Sequence, residues 1–247
     1  LINILEPDDD YSVSIFQQQA KSLINQLNDN HVVPILSGGT GLYVQSLLEN
    51  YNFNDIKPNT KLRIELDELY TEYGVDGLRE YARNLAEKGG IEIKYTDKHR
   101  LYRAIELMTA GDYKSLIKQT KDGLSYKGPV IGLQRERSDL YDRINRRVEI
   151  MFEKGLVDEV KQLLKNGVNP NCQAFKGIGY KEVVQYLEGL ISYDACVDLI
   201  QKNTRHFAKR QITWYKRMPY IEWITIDSQT TEAEIYGMAC NIIDSSF

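Results

Sequence analysis

The sequence has few of the features that mark secreted, zinc-binding or membrane-spanning proteins. Its 247 residues include 3 cysteines, which are far apart and odd in number, so they fit neither a disulfide framework nor a zinc site. The 3 histidines have no metal-ligand spacing, and we expect no metal site built from this chain alone. No apolar run approaches the roughly 20 residues that a membrane helix requires, and no signal peptide is visible, although Leu1 is not a start methionine. We therefore expect a cytoplasmic protein without membrane association.

Acidic residues are absent from one long stretch, residues 202–217, although the whole chain carries a formal net charge of −4. Helical spacing places Lys202, Arg205, Lys209 and Lys216 on one face of this stretch. An adjacent stripe consists of His206, Arg210, Thr213 and Arg217, and the opposite, mostly apolar side consists of Leu199, Ile200, Asn203, Phe207, Gln211 and Trp214. The mostly apolar side is expected to pack against the rest of the protein. A cationic strip of this width in an acidic protein indicates a phosphate-backbone partner, and a solvated charged face is the alternative.

A short apolar run at residues 32–36 predicts a strand that is buried on both faces, although Pro34 removes one ladder donor. The run ends in the glycine turn, residues 37–41, and a helix is predicted from Leu42 to about Glu49. In open α/β sheets, ligands bind beyond the carboxyl ends of the strands, and glycine lets the backbone approach a ligand closely. The turn is therefore a candidate ligand site, with a tight turn that binds nothing as the equal alternative.

After this helix the sequence pattern changes from α/β to helical. Residues 61–73, 76–88 and 98–109 predict three helices, and no strand pattern occurs between them. Further strands are predicted at 130–133 and 220–226, with helices at 139–154, 156–165, 180–187 and 193–217 and from residue 232. An all-helical block between α/β segments indicates an inserted subdomain. We predict an α/β core at residues 1–50 and 128–247 and a helical insertion at residues 51–127.

Three smaller groups of basic residues are candidate anion contacts. Arg143 and Arg147 share a helix face, where pairing with Asp139, Asp142 and Glu149 is the favoured alternative. Arg100 and Arg103 are three residues apart on a predicted helix, and an ordinary amphipathic helix without an anion contact is the alternative. In the segment 176–181, two glycines at a helix N-terminus offer backbone N–H groups to an anion, beside two lysines and a tyrosine able to stack on a base.

Five motifs, in order along nearly the whole chain, resemble the tRNA dimethylallyltransferase family. The motifs are Gly38-Gly39-Thr40-Gly41-Leu42-Tyr43, His99-Arg100-Leu101-Tyr102-Arg103-Ala104-Ile105-Glu106, Leu140-Tyr141-Asp142-Arg143-Ile144, Gly177-Ile178-Gly179-Tyr180-Lys181-Glu182 and Ala208-Lys209-Arg210-Gln211-Ile212-Thr213-Trp214. The resemblance implies a P-loop kinase-like α/β core with a parallel sheet and a helical insertion that grips the anticodon stem-loop. It also implies transfer of a dimethylallyl group from dimethylallyl diphosphate to the N6 amine of the adenosine 3′ to the anticodon, with Mg²⁺. We expect a monomer, although the sequence itself carries no signal for the oligomeric state.

The resemblance also assigns roles to individual residues. Arg143 is the expected catalytic-site residue, and the expected substrate channel is lined by Gly38, Gly39, Thr40 and Tyr43. The expected tRNA contacts are His99, Arg100, Arg103, Lys176, Gly177, Gly179, Tyr180, Lys181, Lys209, Arg210, Gln211, Thr213, Trp214 and Lys216.

The sequence departs from the family pattern in two places. The family's P-loop and its nearby Asp-Ser motif, whose aspartate is the expected general base, do not occur in it. A polypeptide without them is expected to be inactive. The zinc finger of eukaryotic relatives does not occur either, which favours a bacterial type of enzyme. Two alternatives stay open: an enzyme that prenylates free adenine nucleotides, and a non-catalytic RNA-binding protein.

Overall fold

A computed structural model describes residues 1–53, 56–116 and 124–246 of the chain. The chain divides into two compact units, one formed by Leu1–Leu48 with Leu124–Phe247 and the other by Glu49–Gly123. The predicted insertion, residues 51–127, includes residues 54–55 and 117–123, which lie outside the described part. No helix in the described part is long and apolar enough to cross a membrane.

The first unit is an α/β arrangement. Its helices are α1 (Val13–Asp29), α2 (Gly41–Leu48), α5 (Arg137–Glu153), α6 (Leu156–Lys165), α7 (Tyr180–Leu187), α8 (Tyr193–Tyr215) and α9 (Glu232–Ser246). Its strands β1 (Val130–Arg135) and β2 (Ile221–Ile226) pair in parallel, with Val130 opposite Ile221 and Arg135 opposite Ile226. The predicted α/β class with a parallel sheet is confirmed.

Helices α5, α6, α7 and α8 enclose the main core of this unit. Their inward side chains, with one from the turn before α7, form a single buried cluster of Val148, Phe152, Leu156, Val160, Phe175, Val183, Cys196 and Ile200. Apolar residues at steps of three and four along each helix produce this cluster, because such spacing puts them on one helix face. The cluster fixes which faces of α5 and α8 remain at the surface.

The strand predicted at residues 32–36 is wrong. In the described residues, β1 and β2 form the sheet, and the segment 32–36 pairs with neither of them. A strand is stable only when its N–H and C=O groups find partners on a neighbouring strand, and Pro34 lacks one donor. The expected burial is absent too, because Val33 is 81% exposed and Ile35 is 89% exposed.

The second unit is helical in its described residues. It contains α3 (Thr60–Lys88) and α4 (Lys98–Thr109), and no strand occurs between residues 56 and 116. Helix α3 is broken at Gly74, whose φ of 65° and ψ of −155° interrupt the helix, in agreement with the two helices predicted on either side of it. The helices pack through a buried cluster of Leu62, Leu66, Leu78, Ala82, Ala86, Leu101, Tyr102, Ala104, Ile105 and Met108.

Candidate functional site

Helix α8 presents an exposed cationic surface. The exposed basic side chains are Lys202, His206, Lys209 and Arg210 of the helix, with Lys216 and Arg217 directly after its last residue. A surface groove of about 520 Å³ runs over the C-terminal half of the helix and is lined by His206, Lys209, Arg210, Thr213, Trp214 and Arg217. None of the lysines and arginines of α8 forms an ion pair with another described residue. Their charge is therefore available to an anionic partner.

The inner side of α8 is fixed by polar contacts as well as by apolar packing. Asn203 Nδ2 donates to Glu182 Oε1 at 2.7 Å, and Arg205 Nη1 donates to Asn145 Oδ1 at 2.5 Å. Arg205, which was predicted on the cationic face, is therefore half-buried against α5. These contacts hold α8 against α5 and α7 while its basic residues remain in solvent.

Phe207 does not pack in the core, contrary to the prediction. Its side chain is 40% exposed, and the guanidinium of Arg210 lies 5.7 Å from its ring centroid. The buried positions of α8 are Cys196 and Ile200, in its first half. Beyond Ile200 no residue of α8 is fully buried, although Asn203 and Arg205 still contact α7 and α5. Phe207 is thus part of the surface that carries the basic residues.

The glycine turn lies against α8. Gln211 Nε2 donates a hydrogen bond of 2.7 Å to the carbonyl oxygen of Gly39. A Cβ atom at Gly41 would come within 2.5 Å of Trp214 Cδ1, so only glycine allows this approach of α2 to α8. Gly38 and Thr40 are exposed on the turn. The turn is therefore attached to the basic helix through Gln211 and Trp214.

Tyr43 lies in the first turn of α2, two residues after the glycine turn, and is half-buried among aromatic rings. Its ring stacks on Phe16 with centroids 4.8 Å apart and is tilted against Tyr11 at 6.2 Å. Burial, with a smaller effect of Tyr11, raises the pKa of the Tyr43 hydroxyl. The hydroxyl therefore stays protonated at neutral pH and can serve as a hydrogen-bond donor.

After its first turn, helix α5 exposes three arginines: Arg143, Arg146 and Arg147. The pairing with acidic residues of the same helix, which the spacing favoured, does not occur: Asp139 pairs with Arg135 at 2.8 Å, and the three arginines form no ion pair within the described residues. The opposite face of α5 is buried through Ile144, Val148 and Phe152. Arg143 is thus held on a packed helix, and its guanidinium has no ion-pair partner in the part of the chain that the structure describes.

The glycines before α7 serve the helix itself. The N–H of Gly179 donates to Glu182 Oε2 at 2.8 Å, and Glu182 is 3% exposed. This carboxylate occupies the N-terminus that the sequence offered to an external anion. Tyr180 donates to Glu159 at 2.5 Å, and this hydrogen bond, with burial, raises the pKa of Tyr180 to about 12. Lys176 and Lys181 remain exposed.

Helix α4 divides its predicted contacts into two groups. His99 and Arg100 are exposed, and the Arg100 side chain has no partner among the described residues. Arg103 instead donates to Glu106 Oε2 at 3.3 Å and to the Ile56 carbonyl oxygen at 2.8 Å.

Glu106 is the centre of that network and is 2% exposed. It also accepts from Arg63 Nε at 2.7 Å and from the N–H of Asn59 at 3.0 Å. Burial alone would raise the pKa of Glu106, but the hydrogen bonds from Arg63 and Asn59 hold it below the ordinary value. Glu106 is therefore a buried carboxylate that stays charged.

Sequence reasoning missed the polar residues that hold these surfaces in place. Glu182 had a local signal, since it stands three residues after Gly179 in capping-box spacing. Glu106 had only its i+3 distance from Arg103. Gln211 was predicted as a tRNA contact, and its contact with the glycine turn had no local signal, because its hydrogen-bond partner is 172 residues away in the sequence.

Comparison with known proteins gives matches over most of the chain. The family model described as IPP transferase matches residues 1–218. The tRNA dimethylallyltransferase of Clostridioides difficile (strain 630) is 38% identical over 231 residues, which is 92% of this chain and 73% of that protein. The tRNA dimethylallyltransferase of Carboxydothermus hydrogenoformans is 39% identical over 237 residues, 94% of this chain and 75% of that protein.

Solved structures agree with these sequence matches. The full-length tRNA isopentenylpyrophosphate transferase from Bacillus halodurans superposes with a TM-score of 0.68 at 33% identity. The match covers 99% of this chain and 78% of the Bacillus protein.

Proposed function

Because the chain belongs to the IPP transferase family, we propose that it transfers a dimethylallyl group from dimethylallyl diphosphate to tRNA. The acceptor is the exocyclic N6 amine of the adenosine on the 3′ side of the anticodon. The new bond joins N6 to the allylic carbon while the bond from that carbon to the diphosphate oxygen breaks, and pyrophosphate leaves. The amine proton passes to a general base, which the family resemblance assigns to an aspartate that does not occur among these 247 residues.

The exposed cationic surface of α8 is the observation that carries this proposal. It holds Lys209, Arg210 and Lys216 without acidic partners among the described residues, next to Trp214, which lines the same groove. A free nucleotide carries its phosphates at one point and does not need a strip of this length. An RNA stem has regularly spaced phosphates that such a strip can follow.

The other proposed RNA contacts fall into two groups, exposed residues and residues that already have hydrogen-bond partners within the protein. His99, Arg100, Lys176 and Lys181 are exposed, which suits them for phosphates. Arg103, Gly179 and Tyr180 have hydrogen-bond partners within the protein, so any effect of these residues on RNA is expected to be indirect. In this proposal the helical unit, Glu49–Gly123, grips the anticodon stem-loop.

Arg143 and the glycine turn are proposed to receive the diphosphate. An unpaired guanidinium with its fork of donors suits the charge that develops on a leaving diphosphate. The exposed backbone of Gly38 and the hydroxyls of Thr40 and Tyr43 supply further donors. In this proposal they line the channel between diphosphate and acceptor.

Mg²⁺ belongs to the proposal as a partner of the diphosphate oxygens. This ion usually binds through one or two carboxylates together with substrate phosphates. The described residues contain no group of three or more His, Cys, Asp or Glu side chains that could hold a metal ion without the substrate. A cytoplasmic location and a monomeric state complete the proposal.

The direct test is a transfer assay with the full-length protein that carries this sequence. Labelled dimethylallyl diphosphate, Mg²⁺ and an anticodon stem-loop with adenosine at the 3′ position are expected to give labelled RNA, and a stem-loop with guanosine there is not. Label in adenosine monophosphate, offered in parallel, would favour the nucleotide prenyltransferase. Binding of the stem-loop without any transfer would favour the non-catalytic RNA-binding protein.

A second experiment addresses Arg143. Arg143→Ala is expected to lower kcat by roughly 10²–10³, the usual cost of one preorganised donor at a developing charge. Arg143→Lys should rescue poorly, because a lysine cannot make a bidentate contact. Arg146→Ala, the same change at an exposed arginine of the same helix, is the matched control. Near-normal kcat with weaker tRNA binding in Arg143→Ala would contradict the catalytic role.

A further inference from the structure

Gln211 joins two parts of the proposed site, the basic helix α8 and the glycine turn. It belongs to the basic helix α8, but its side chain is half-buried and is not part of the groove surface formed by its neighbours. Its amide donates to the carbonyl oxygen of Gly39 at 2.7 Å. This donor therefore faces the glycine turn, whereas Lys209, Arg210 and Thr213 face the groove.

The turn is shaped to accept this side chain. A Cβ atom at Gly39 would collide with Gln211 Nε2, the atom that makes the hydrogen bond. A Cβ atom at Gly38, one residue earlier, would meet nothing within 4 Å. Neither glycine has a positive φ, so backbone conformation does not demand glycine at either position. A larger residue at position 39 would therefore displace the Gln211 amide, the movable end of a flexible side chain, and break its hydrogen bond.

Trp214 forms a second connection between the same two surfaces. Its indole lies against Gly41, with Cδ1 at 2.5 Å from the position of a Cβ atom there, and it also lines the groove. Gln211 and Trp214 are three residues apart on α8, so they contact the turn from adjacent positions of one helix face. The position of the turn is therefore set by the same helix that carries the cationic surface.

We infer that Gln211 is a positioning residue for the reaction, and that it acts by holding the glycine turn rather than by touching RNA. This inference rests on the proposed function and deepens it. The hydrogen bond fixes the carbonyl of Gly39, and with it the orientation of Gly38 and Thr40 toward the diphosphate. A neutral hydrogen bond of this kind contributes enough to change a rate or binding constant by about three- to tenfold.

The test compares two readouts in Gln211→Met, which keeps the length of the side chain and removes the donor. The KM for dimethylallyl diphosphate is expected to rise about three- to tenfold. The Kd for the anticodon stem-loop and its salt dependence are expected to stay unchanged. Gln211→Glu, which places a carboxylate oxygen against the Gly39 carbonyl, should raise KM further. Weaker RNA binding at unchanged KM in Gln211→Met would overturn the inference.

A double-mutant cycle tests the contact itself. Gly39→Ala should displace the amide and raise KM as Gln211→Ala does, and the double variant should be no worse than either, because the two changes break one interaction. Gly38→Ala, whose added methyl group meets nothing within 4 Å, should change the free energy of unfolding by the same amount with and without Gln211→Ala. Additive effects of the changes at 39 and 211, in both KM and the free energy of unfolding, would overturn the inference. If the unsubstituted protein transfers no label, the proposed function fails, and the cycle measured by unfolding still decides whether Gln211 holds the turn.

Discussion

Helices α4 and α8 are both rich in basic residues, yet they use them differently. In α4, Arg103 lies one helical turn before Glu106, which is 2% exposed, and the arginine is drawn into the buried network of that carboxylate. In α8 no acidic residue occurs from position 202 to 217, and Lys209 and Arg210 remain exposed without ion pairs among the described residues. Basic spacing by itself therefore does not show which basic side chains stay unpaired; in these two helices the difference is a buried acid within one turn of Arg103.

The largest expected effect comes from removing the acid of α4. Glu106→Gln leaves the volume unchanged but takes the charge away from Arg63 and Arg103, whose side chains are 43% and 35% exposed. Breaking a buried pair typically costs 3–5 kcal/mol, and because these arginines keep some contact with water we expect about 3 kcal/mol of unfolding free energy in denaturant titration. Glu80→Gln, on the exposed side of α3, is the matched control and should have little effect.

The pH dependence sharpens the same prediction. The pKa of Glu106 is lowered in the folded protein relative to its ordinary value of 4.5. The carboxylate therefore stabilises the fold fully above that value, and this stabilisation is lost as the pH falls through the lower, folded pKa. The difference in unfolding free energy between the unsubstituted protein and Glu106→Gln should shrink below about pH 4.5. A difference that is constant down to acid unfolding would mean that the charge of Glu106 does not matter.

The next effect separates the two arginines of α4. Arg103→Met should destabilise the protein by about 1 kcal/mol, less than a fully buried charged hydrogen bond because the side chain is 35% exposed. Its effect on the salt dependence of RNA binding should be small. Arg100→Met should do the opposite, with unchanged stability and a reduced salt slope. If both variants reduce the slope equally, the contrast between a structural and an RNA-facing arginine is lost.

Helix α8 provides the matching experiment on free cations. Lys209→Ala is expected to weaken stem-loop binding and to reduce the slope of log affinity against log salt by roughly 0.7–0.9 for the lost phosphate contact. Lys216→Ala should do the same. Lys165→Ala on α6, an exposed lysine outside the proposed site, is the control. An unchanged slope in both α8 variants would show that this surface is only solvated.

Much of the fold could be predicted from local sequence patterns. Helices α6 and α7 begin and end where predicted, because glycines and polar residues beside them mark their ends. The break of α3 at Gly74 was predictable for the same reason. The strand predicted at residues 32–36 does not form, because an apolar run becomes a strand only when another strand pairs with it, and that pairing cannot be predicted from the run itself.

The candidate site was harder to predict, because the contacts that hold it in place join residues far apart in the sequence. The basic character of α8 is visible in sixteen consecutive residues, 202–217, without any structural information. The hydrogen bond from Gln211 to Gly39 joins residues 172 positions apart. Glu106 could equally have paired on the surface, and only the packing of α3 on α4 buries it. Residue types and spacing thus identify the charged groups, while tertiary packing decides which of them remain free.

The smallest expected effect concerns Phe207, on the exposed side of α8. Its side chain is 40% exposed and contacts Arg210 in a cation–π arrangement at 5.7 Å. An exposed cation–π pair contributes only about 0.5–1 kcal/mol, so Phe207→Ala should lower the unfolding free energy by less than about 1 kcal/mol. Phe175→Ala is the comparison within the same unit, because Phe175 is 2% exposed and its loss should cost about 3–5 kcal/mol. Since Phe207 carries no charge, its substitution should leave the salt slope of RNA binding unchanged even if affinity falls. A loss of 3 kcal/mol or more in Phe207→Ala, near that of a fully buried phenylalanine, would mean that the ring is packed in solution, and the second half of α8 would then not be the open surface that distinguishes it from α4.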